Sequence, residues 1–403
     1  MYSQGMVGFG HIRRNASIAQ ALRASAIQPA IVMMAEAWQA GAIPMPPGVD
    51  FVTLPALRRE PDGSYNPRFL LDVSDRDLIA MRSRVLGSAM EVFEPDVLIV
   101  DHLPLGVAGE LAGTLQRLRQ RGRTRCVLGV REVLYDPETV RRTWADQRNM
   151  DAIRDYYDAV WIYGDPAVYD PVREYQLPDH VVDRARYTGY LDQRPRLGFA
   201  ARDATLLADL PPGRLALCLV GGGHDGAALA EAFLQADLPS DMTGLLVTGP
   251  LMPGEKRERM RQGGERRPEF RVLDFVPDPT PLVQRADRIV SMGGYNTICE
   301  ILSFEKHALI VPRVLPEPEQ WIRARRLQEM GLVDVLRPEA LTPAALTQWL
   351  ARDLGVPPAS RSRVDLGALT RIPALLAGLL GLPGDAVESD AIITASRAGG
   401  GRR

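Results

Sequence analysis

Cysteine is scarce in this 403-residue chain, which has only Cys126, Cys218 and Cys299. The number is odd and none has a partner at metal-ligand spacing, so neither a disulfide scaffold nor a thiolate metal site is expected. An excess of one charge is also missing. The 48 Lys and Arg against 50 Asp and Glu leave a net charge of -2. A balanced surface gives no steering toward nucleic acid, and no nucleic-acid partner is expected. No apolar run is long enough to span a bilayer; residues 374–380 form the longest near the end and read as a core helix. The first residues carry no charged-then-apolar leader, so the expected location is cytoplasmic. No P-loop lysine follows any of the glycine loops. No paired acidic residues stand beside the glycine loops, so neither a metal nor a cofactor is expected.

What is present is a repeated strand, turn and helix. Apolar residues make up 46% of the chain, enough for two cores. Continuous apolar runs lie at 30–34, 51–54, 97–100, 126–130 and 159–163. Continuity rather than alternation marks strands buried on both faces. Ile12, Ala16, Ala19 and Leu22 recur at helix spacing after the first glycine loop. The pattern restarts with runs at 215–220, 245–247, 272–275, 288–291 and 309–311. Two such series imply an α/β fold of two doubly wound parallel-sheet, Rossmann-like domains. The expected division is 1–192 and 213–383, with a linker at 193–212 rich in glycine, proline and charge. A return of the last helices to the first domain is compatible with this division, and 384–403 reads as a disordered tail.

Four clusters could carry chemistry. Gly8-Phe9-Gly10-His11-Ile12-Arg13-Arg14 turns the chain into a helix whose freed N–H groups can face an anion. Gly221-Gly222-Gly223-His224-Asp225 follows a strand, where open α/β sheets bind ligands. The third, Ser291-Met292-Gly293-Gly294-Tyr295-Asn296-Thr297-Ile298-Cys299-Glu300, is the most informative. Thr297 and its neighbours would offer N–H and hydroxyl donors at a positive helix end, suited to a diphosphate. Glu300 lies one turn on, where its carboxylate could accept from a ribose diol. A capping box, with Thr297 as N-cap and Glu300 at its third position, is the plain structural alternative. In the fourth cluster a strand ends at Pro312-Arg313, and Glu319-Gln320 near the next helix start could bond sugar hydroxyls.

Taken together, the third and fourth clusters resemble the donor half of the family 28 glycosyltransferases, which include the lipid II N-acetylglucosaminyltransferases. The shared pattern reads Gly293-Gly294, Thr297, Glu300, Pro312, Glu319-Gln320. The Ser-Met-Gly-Gly-Tyr-Asn-Thr run also resembles one in predicted glycosyltransferases related to that family. The loops at 221–227 and 8–14 are similar to those that open the family's second and first domains. The resemblance implies the GT-B architecture, with two domains facing a cleft. It implies that Gly222 and Gly223 line the donor site and that Phe275-Val276 flank the base. Gly293, Gly294, Asn296 and Thr297 would meet the diphosphate, Glu300 the ribose, and Glu319 and Gln320 the sugar. His11, beside Gly10, would sit across the cleft as the catalytic base. Acceptor-side candidates are Gly10, Asp101-His102 and Arg131-Glu132, the last two pairs just past strands. The family's first strand is longer than Met1-Tyr2-Ser3, a departure from the pattern.

The implied reaction moves a sugar from a nucleoside-diphosphate sugar, uridine-linked by family analogy, to an acceptor hydroxyl. The acceptor is unidentified; a lipid- or polymer-linked one, with peripheral membrane contact, is compatible with the resemblance. A nucleotide-sugar hydrolase or epimerase on the same fold, and a non-catalytic sensor, are the alternatives.

Overall fold

The computed structural model describes residues 1–4, 10–36, 45–60, 64–70, 72–146, 148–200, 210–223, 225–315 and 317–383. The expected tail at 384–403, together with Gly8, Phe9 and His224 of the glycine clusters, lies outside them. Among the described residues the strands form a seven-stranded sheet, a six-stranded sheet and a two-stranded hairpin. The first sheet contains β1 (Tyr2–Ser3), β2 (Ile31–Ala35), β3 (Val49–Thr53), β6 (Val97–Asp101), β7 (Arg125–Arg131), β8 (Ala159–Tyr163) and β9 (Ala185–Gly189). Its order is β3-β2-β1-β6-β7-β8-β9, all pairs parallel. The hairpin pairs β4 (Leu57–Arg59) with β5 (Tyr65–Pro67). The second sheet contains β10 (Arg214–Leu219), β11 (Met242–Val247), β12 (Phe270–Leu273), β13 (Arg288–Ser291), β14 (His307–Ile310) and β15 (Asp334–Val335). Its order is β12-β11-β10-β13-β14-β15, again parallel.

Both orders reverse direction once, between β1 and β6 and between β10 and β13. Crevices form at such switch points, outside the carboxyl ends of the strands. Loops after β1 and β6 therefore open one crevice, and loops after β10 and β13 the other. The long apolar runs became the central strands because helices cover both faces; β10 and β13 are buried along nearly their whole length. Short elements lacked such runs, and the hairpin, β9 and β15 were not expected.

The segment expected as a linker is partly folded. Arg194–Arg196 and Leu197–Ala200 are helical turns. Arg196 is buried, donating from Nε and Nη2 to Asp278 at 3.1 and 2.7 Å and from Nη1 to Ser17 Oγ at 2.9 Å. Ser17 lies on the helix Gly10–Ala24 of the first unit, and Asp278 follows β12 in the second. Arg13, on the same face of that helix, lies 2.5 Å from Glu300 Oε1 and 3.6 Å from Asp278 Oδ1. A second buried link joins Glu132, just after β7, to Arg323 on the helix Glu319–Glu329 at 2.5 Å. The helix Ala368–Leu380 packs back on the helix Gly10–Ala24, and Arg371 bonds the Thr188 carbonyl. All three cysteines are buried and free.

Removing one member of a buried ion pair leaves the other charged and unsolvated. Asp278→Ala should therefore lower the unfolding free energy in urea by about 3–5 kcal/mol, because it strands Arg196 and weakens the hold on Arg13. A loss below about 1 kcal/mol, the range of an exposed pair, would contradict this role.

Candidate active site

A cleft of about 1350 Å³ runs between the two sheets' carboxyl edges. Its second-domain wall is built by tight turns. Gly293 has φ +72°, and a Cβ there would lie 2.6 Å from Ile310. Gly223 has φ +89°, and a Cβ would meet the Thr248 carbonyl at 2.2 Å. Only glycine holds both turns without strain. Gly222, Gly223, Phe275, Val276, Gly293, Gly294, Asn296, Thr297, Glu319 and Gln320 all line the cleft. The helix Tyr295–Ser303 starts earlier than a capping box requires, with Gly294 as its N-cap. Thr297 is thus the third residue of the helix rather than its cap. The N-terminal amides of this helix open toward the cleft, an arrangement that favours an anion.

The first-domain wall brings another helix start against this one. Asn296 Nδ2 donates to the Gly10 carbonyl at 2.8 Å and Arg13 meets Glu300, so the first turns of Gly10–Ala24 and Tyr295–Ser303 lie side by side. His11, in the first turn, lines the cleft with its side chain 16% exposed. Its Nδ1 lies 2.6 Å from Asp101 Oδ2 at the end of β6. Arg14 Nη2 is 2.5 Å from Asp101 Oδ1 and 3.0 Å from the same Nδ1. An arginine can only donate, so Nδ1–H donates to the carboxylate and Arg14 serves Asp101. That leaves the Nε2 lone pair as the basic position.

Burial tends to raise the Asp101 carboxyl, but Arg14 and His11 outweigh it and hold it well below the usual range. Burial pushes His11 below its ordinary value of 6.5, with Asp101 opposing. An unprotonated imidazole oriented by an ionised carboxylate is the arrangement of a general base.

The expected acceptor-side residues separate. Asp101 is fully buried and stands behind His11, so it orients that imidazole and does not face the cleft. His102 lines the cleft, its ring 5.6 Å from that of His11 and 6.1 Å from Tyr135. It is held at φ +73°, a conformation uncommon outside glycine. Burial, then Arg131 and His11, depress its proton affinity strongly. Glu132 is not in the cleft wall; it is buried, accepting from Tyr190 Oη at 2.8 Å and Arg323 Nε at 2.5 Å. Arg131 lines the cleft and reaches across it to Glu319 at 2.6 Å.

Glu300 is the donor-side residue placed differently from expectation. It is fully buried and absent from the cleft lining, with Oε1 on Arg13. Its Oε2 is buried without a hydrogen bond, and burial raises its pKa despite Arg13. Gln320 spends its side-chain oxygen on the Arg313 amide at 2.9 Å. Sequence reasoning assigned no role to Arg13, Asp278 or Arg323. Arg13 and Arg323 sat in recognised clusters, and nothing local marked their partners.

Among the described residues no three His, Cys, Asp or Glu side chains cluster as metal ligands, and no helix is long and apolar enough to cross a membrane.

Comparison with known proteins agrees with this geometry. The chain superimposes on the calicheamicin glycosyltransferase CalG4 with a TM-score of 0.61 at 15% identity, covering 94% of this chain and 97% of that one. With MurG of Acinetobacter baumannii the TM-score is 0.56 at 12% identity, covering 94% and 99%. The protein thus has the two-domain GT-B fold of glycosyltransferases. Within it, residues 216–359 match the glycosyltransferase family 28 C-terminal domain. The match lies within the second domain. A curated relative in Haemophilus influenzae is UDP-N-acetylglucosamine--N-acetylmuramyl-(pentapeptide) pyrophosphoryl-undecaprenol N-acetylglucosamine transferase. It is 25% identical over 132 residues, which are 33% of this chain and 38% of that protein.

If His11 is the base, turnover should fall on the acid side with a midpoint below 6.5, because the imidazole must be neutral to act. His11→Ala should cut turnover by roughly 10²–10⁴-fold while nucleoside-diphosphate affinity holds. Asp101→Asn removes the group that opposes the depression. The acid midpoint should then move lower while the plateau also drops. Affinity falling in step with rate for His11→Ala would make His11 a binding residue.

Proposed function

We propose that this protein transfers a sugar from a nucleoside-diphosphate sugar, uridine-linked, to an acceptor hydroxyl, without a metal ion. The observation that carries the reading is the meeting of two elements. A histidine–aspartate pair in the first domain faces a glycine-turned helix start in the second, joined by the Asn296–Gly10 bond.

In the proposed reaction, Phe275 and Val276 flank the base, and Thr297 with the amides at the head of Tyr295–Ser303 takes the diphosphate. Glu319 and Gln320 meet the sugar. The buried, unbonded Oε2 of Glu300 is the acceptor that a ribose hydroxyl would satisfy, with Oε1 kept on Arg13. His11 Nε2 removes the acceptor proton, the freed oxygen attacks the anomeric carbon, and the bond from that carbon to the diphosphate breaks. The proton remains on His11, where the imidazolium is stabilised by Asp101, and the nucleoside diphosphate departs.

His102, Leu103, Tyr135, Thr139 and Thr143 form the first-domain side of the cleft, where the acceptor would bind. The Haemophilus relative is named for a pyrophosphoryl-undecaprenol-linked acceptor. A lipid- or polymer-linked acceptor, reached by a cytoplasmic protein at a membrane surface, fits that analogy.

A panel of nucleotide sugars scored by thermal shift, with released nucleoside diphosphate measured in parallel, tests the reading. A donor present at ~100 times its Kd adds about 2.7 kcal/mol of stability. UDP-sugars should raise the melting temperature, and excess EDTA should leave release of diphosphate unchanged. No shift with any nucleotide sugar would remove the donor assignment. Activity lost in EDTA and restored by Mg²⁺ or Mn²⁺ would remove the metal-free mechanism.

A further inference from the structure

Breaking the bond to the sugar leaves growing negative charge on the diphosphate. The helix start at Tyr295 offers the equivalent of about half a positive charge, less than that departing group develops. A full cation from the protein would meet the remainder. Arg14 is unsuitable because it is buried and committed to Asp101. Arg13 is held between Glu300 and Asp278.

Arg131 differs. It ends β7 at the carboxyl edge of the first sheet, two residues beyond Gly129, which pairs with Asp101 in register. That position brings it near both His11 and His102, whose proton affinities it depresses. Its side chain is 14% exposed, its Nε has no hydrogen bond, and its Nη1 crosses the cleft to Glu319 at 2.6 Å.

Glu319 does not depend on that contact. It opens the helix Glu319–Glu329, where the dipole favours a carboxylate. Arg313 lies 3.9 Å away, and Arg323 also acts on it. The pair is therefore unequal: Glu319 keeps cationic partners if Arg131 leaves, whereas Arg131 would need another anion. An incoming diphosphate is that anion.

Resting on the glycosyltransferase reading, we propose that Arg131 binds the donor's diphosphate from the first domain, and that in the empty cleft its guanidinium is held by Glu319. Donor entry exchanges partners: Arg131 turns to the phosphoryl oxygens, and Glu319 is released toward the sugar hydroxyls. The exchange would tie the first domain to the donor and bring His11 to the reacting carbon as the cleft fills.

Calorimetric titration of UDP and of uridine into the full chain and its variants tests this. UDP lacks the sugar, so loss of Glu319's sugar contact cannot confuse the result. Arg131→Gln should weaken UDP by roughly 10–100-fold, the effect of losing a charge-assisted phosphate contact, while uridine affinity stays level. Arg131→Lys should recover part of the loss. Glu319→Gln should bind UDP as well as the wild type or more tightly, because the arginine is freed. Melting temperatures near that of the wild type would exclude misfolding as the cause of lost affinity. If Arg131→Gln binds UDP like the wild type, or if both substitutions weaken UDP equally, Arg131 is only a strut for Glu319 and the proposal falls. A wild type that binds no nucleoside diphosphate would overturn the donor reading itself.

Discussion

The structure depends on a run of buried charges that passes between the two domains. Ser17, Arg196, Asp278, Arg13 and Glu300 form one continuous set, alternating between first domain, connecting segment and second domain. Desolvated ions are tolerated only when their partners stay in place, so the set restricts how the domains can sit. Tyr295 adds to the junction, with Arg14 and Arg323 near its ring at 5.5 and 5.6 Å and Tyr190 stacked at 5.9 Å. The helix Gly10–Ala24 carries most of the first-domain members. Gly10, Arg13, Arg14 and Ser17 recur at helical spacing on it, one stripe facing the second domain and Asp101. His11 is in the same helix, so the charges that fix the helix also fix its imidazole.

This arrangement explains a division of labour in the site. The second domain offers shape and amide donors, built on glycine turns that no other residue could hold. From the first domain come His11 backed by Asp101, His102 beside it, and Arg131, which reaches over to the second domain's Glu319. The two domains' contact at Asn296 and Gly10 is what turns two switch-point crevices into one cleft.

Much of this was legible in the sequence where the signal is local. Central strands such as β8 and β13 appear as continuous apolar runs because both their faces are covered. Gly223 and Gly293 stand out because the chain must turn through positive φ at a strand end. Long-range pairing left no such mark. Arg13 and Glu300 are 287 positions apart, and nothing near either names the other. For the same reason the sequence does not show that Glu300 is buried against an arginine. Glu132 read as a cleft residue, although it bonds Arg323 and Tyr190. The connecting segment read as a linker from its prolines and charges, but Arg196 within it is buried at the centre of the network. A threonine followed by glutamate three residues later imitates a capping box, but that alternative does not hold, because Gly294 caps the helix without any side-chain bond.

The central claim is that one nucleotide site is assembled by both domains. Hydrogen exchange followed by mass spectrometry, with and without saturating UDP, tests it most directly. The account predicts slowed exchange at residues 221–223 and 293–297 of the second domain, together with residues 10–14 of the first. Protection absent from 293–297, or confined to the second domain with residues 10–14 unchanged, would contradict it.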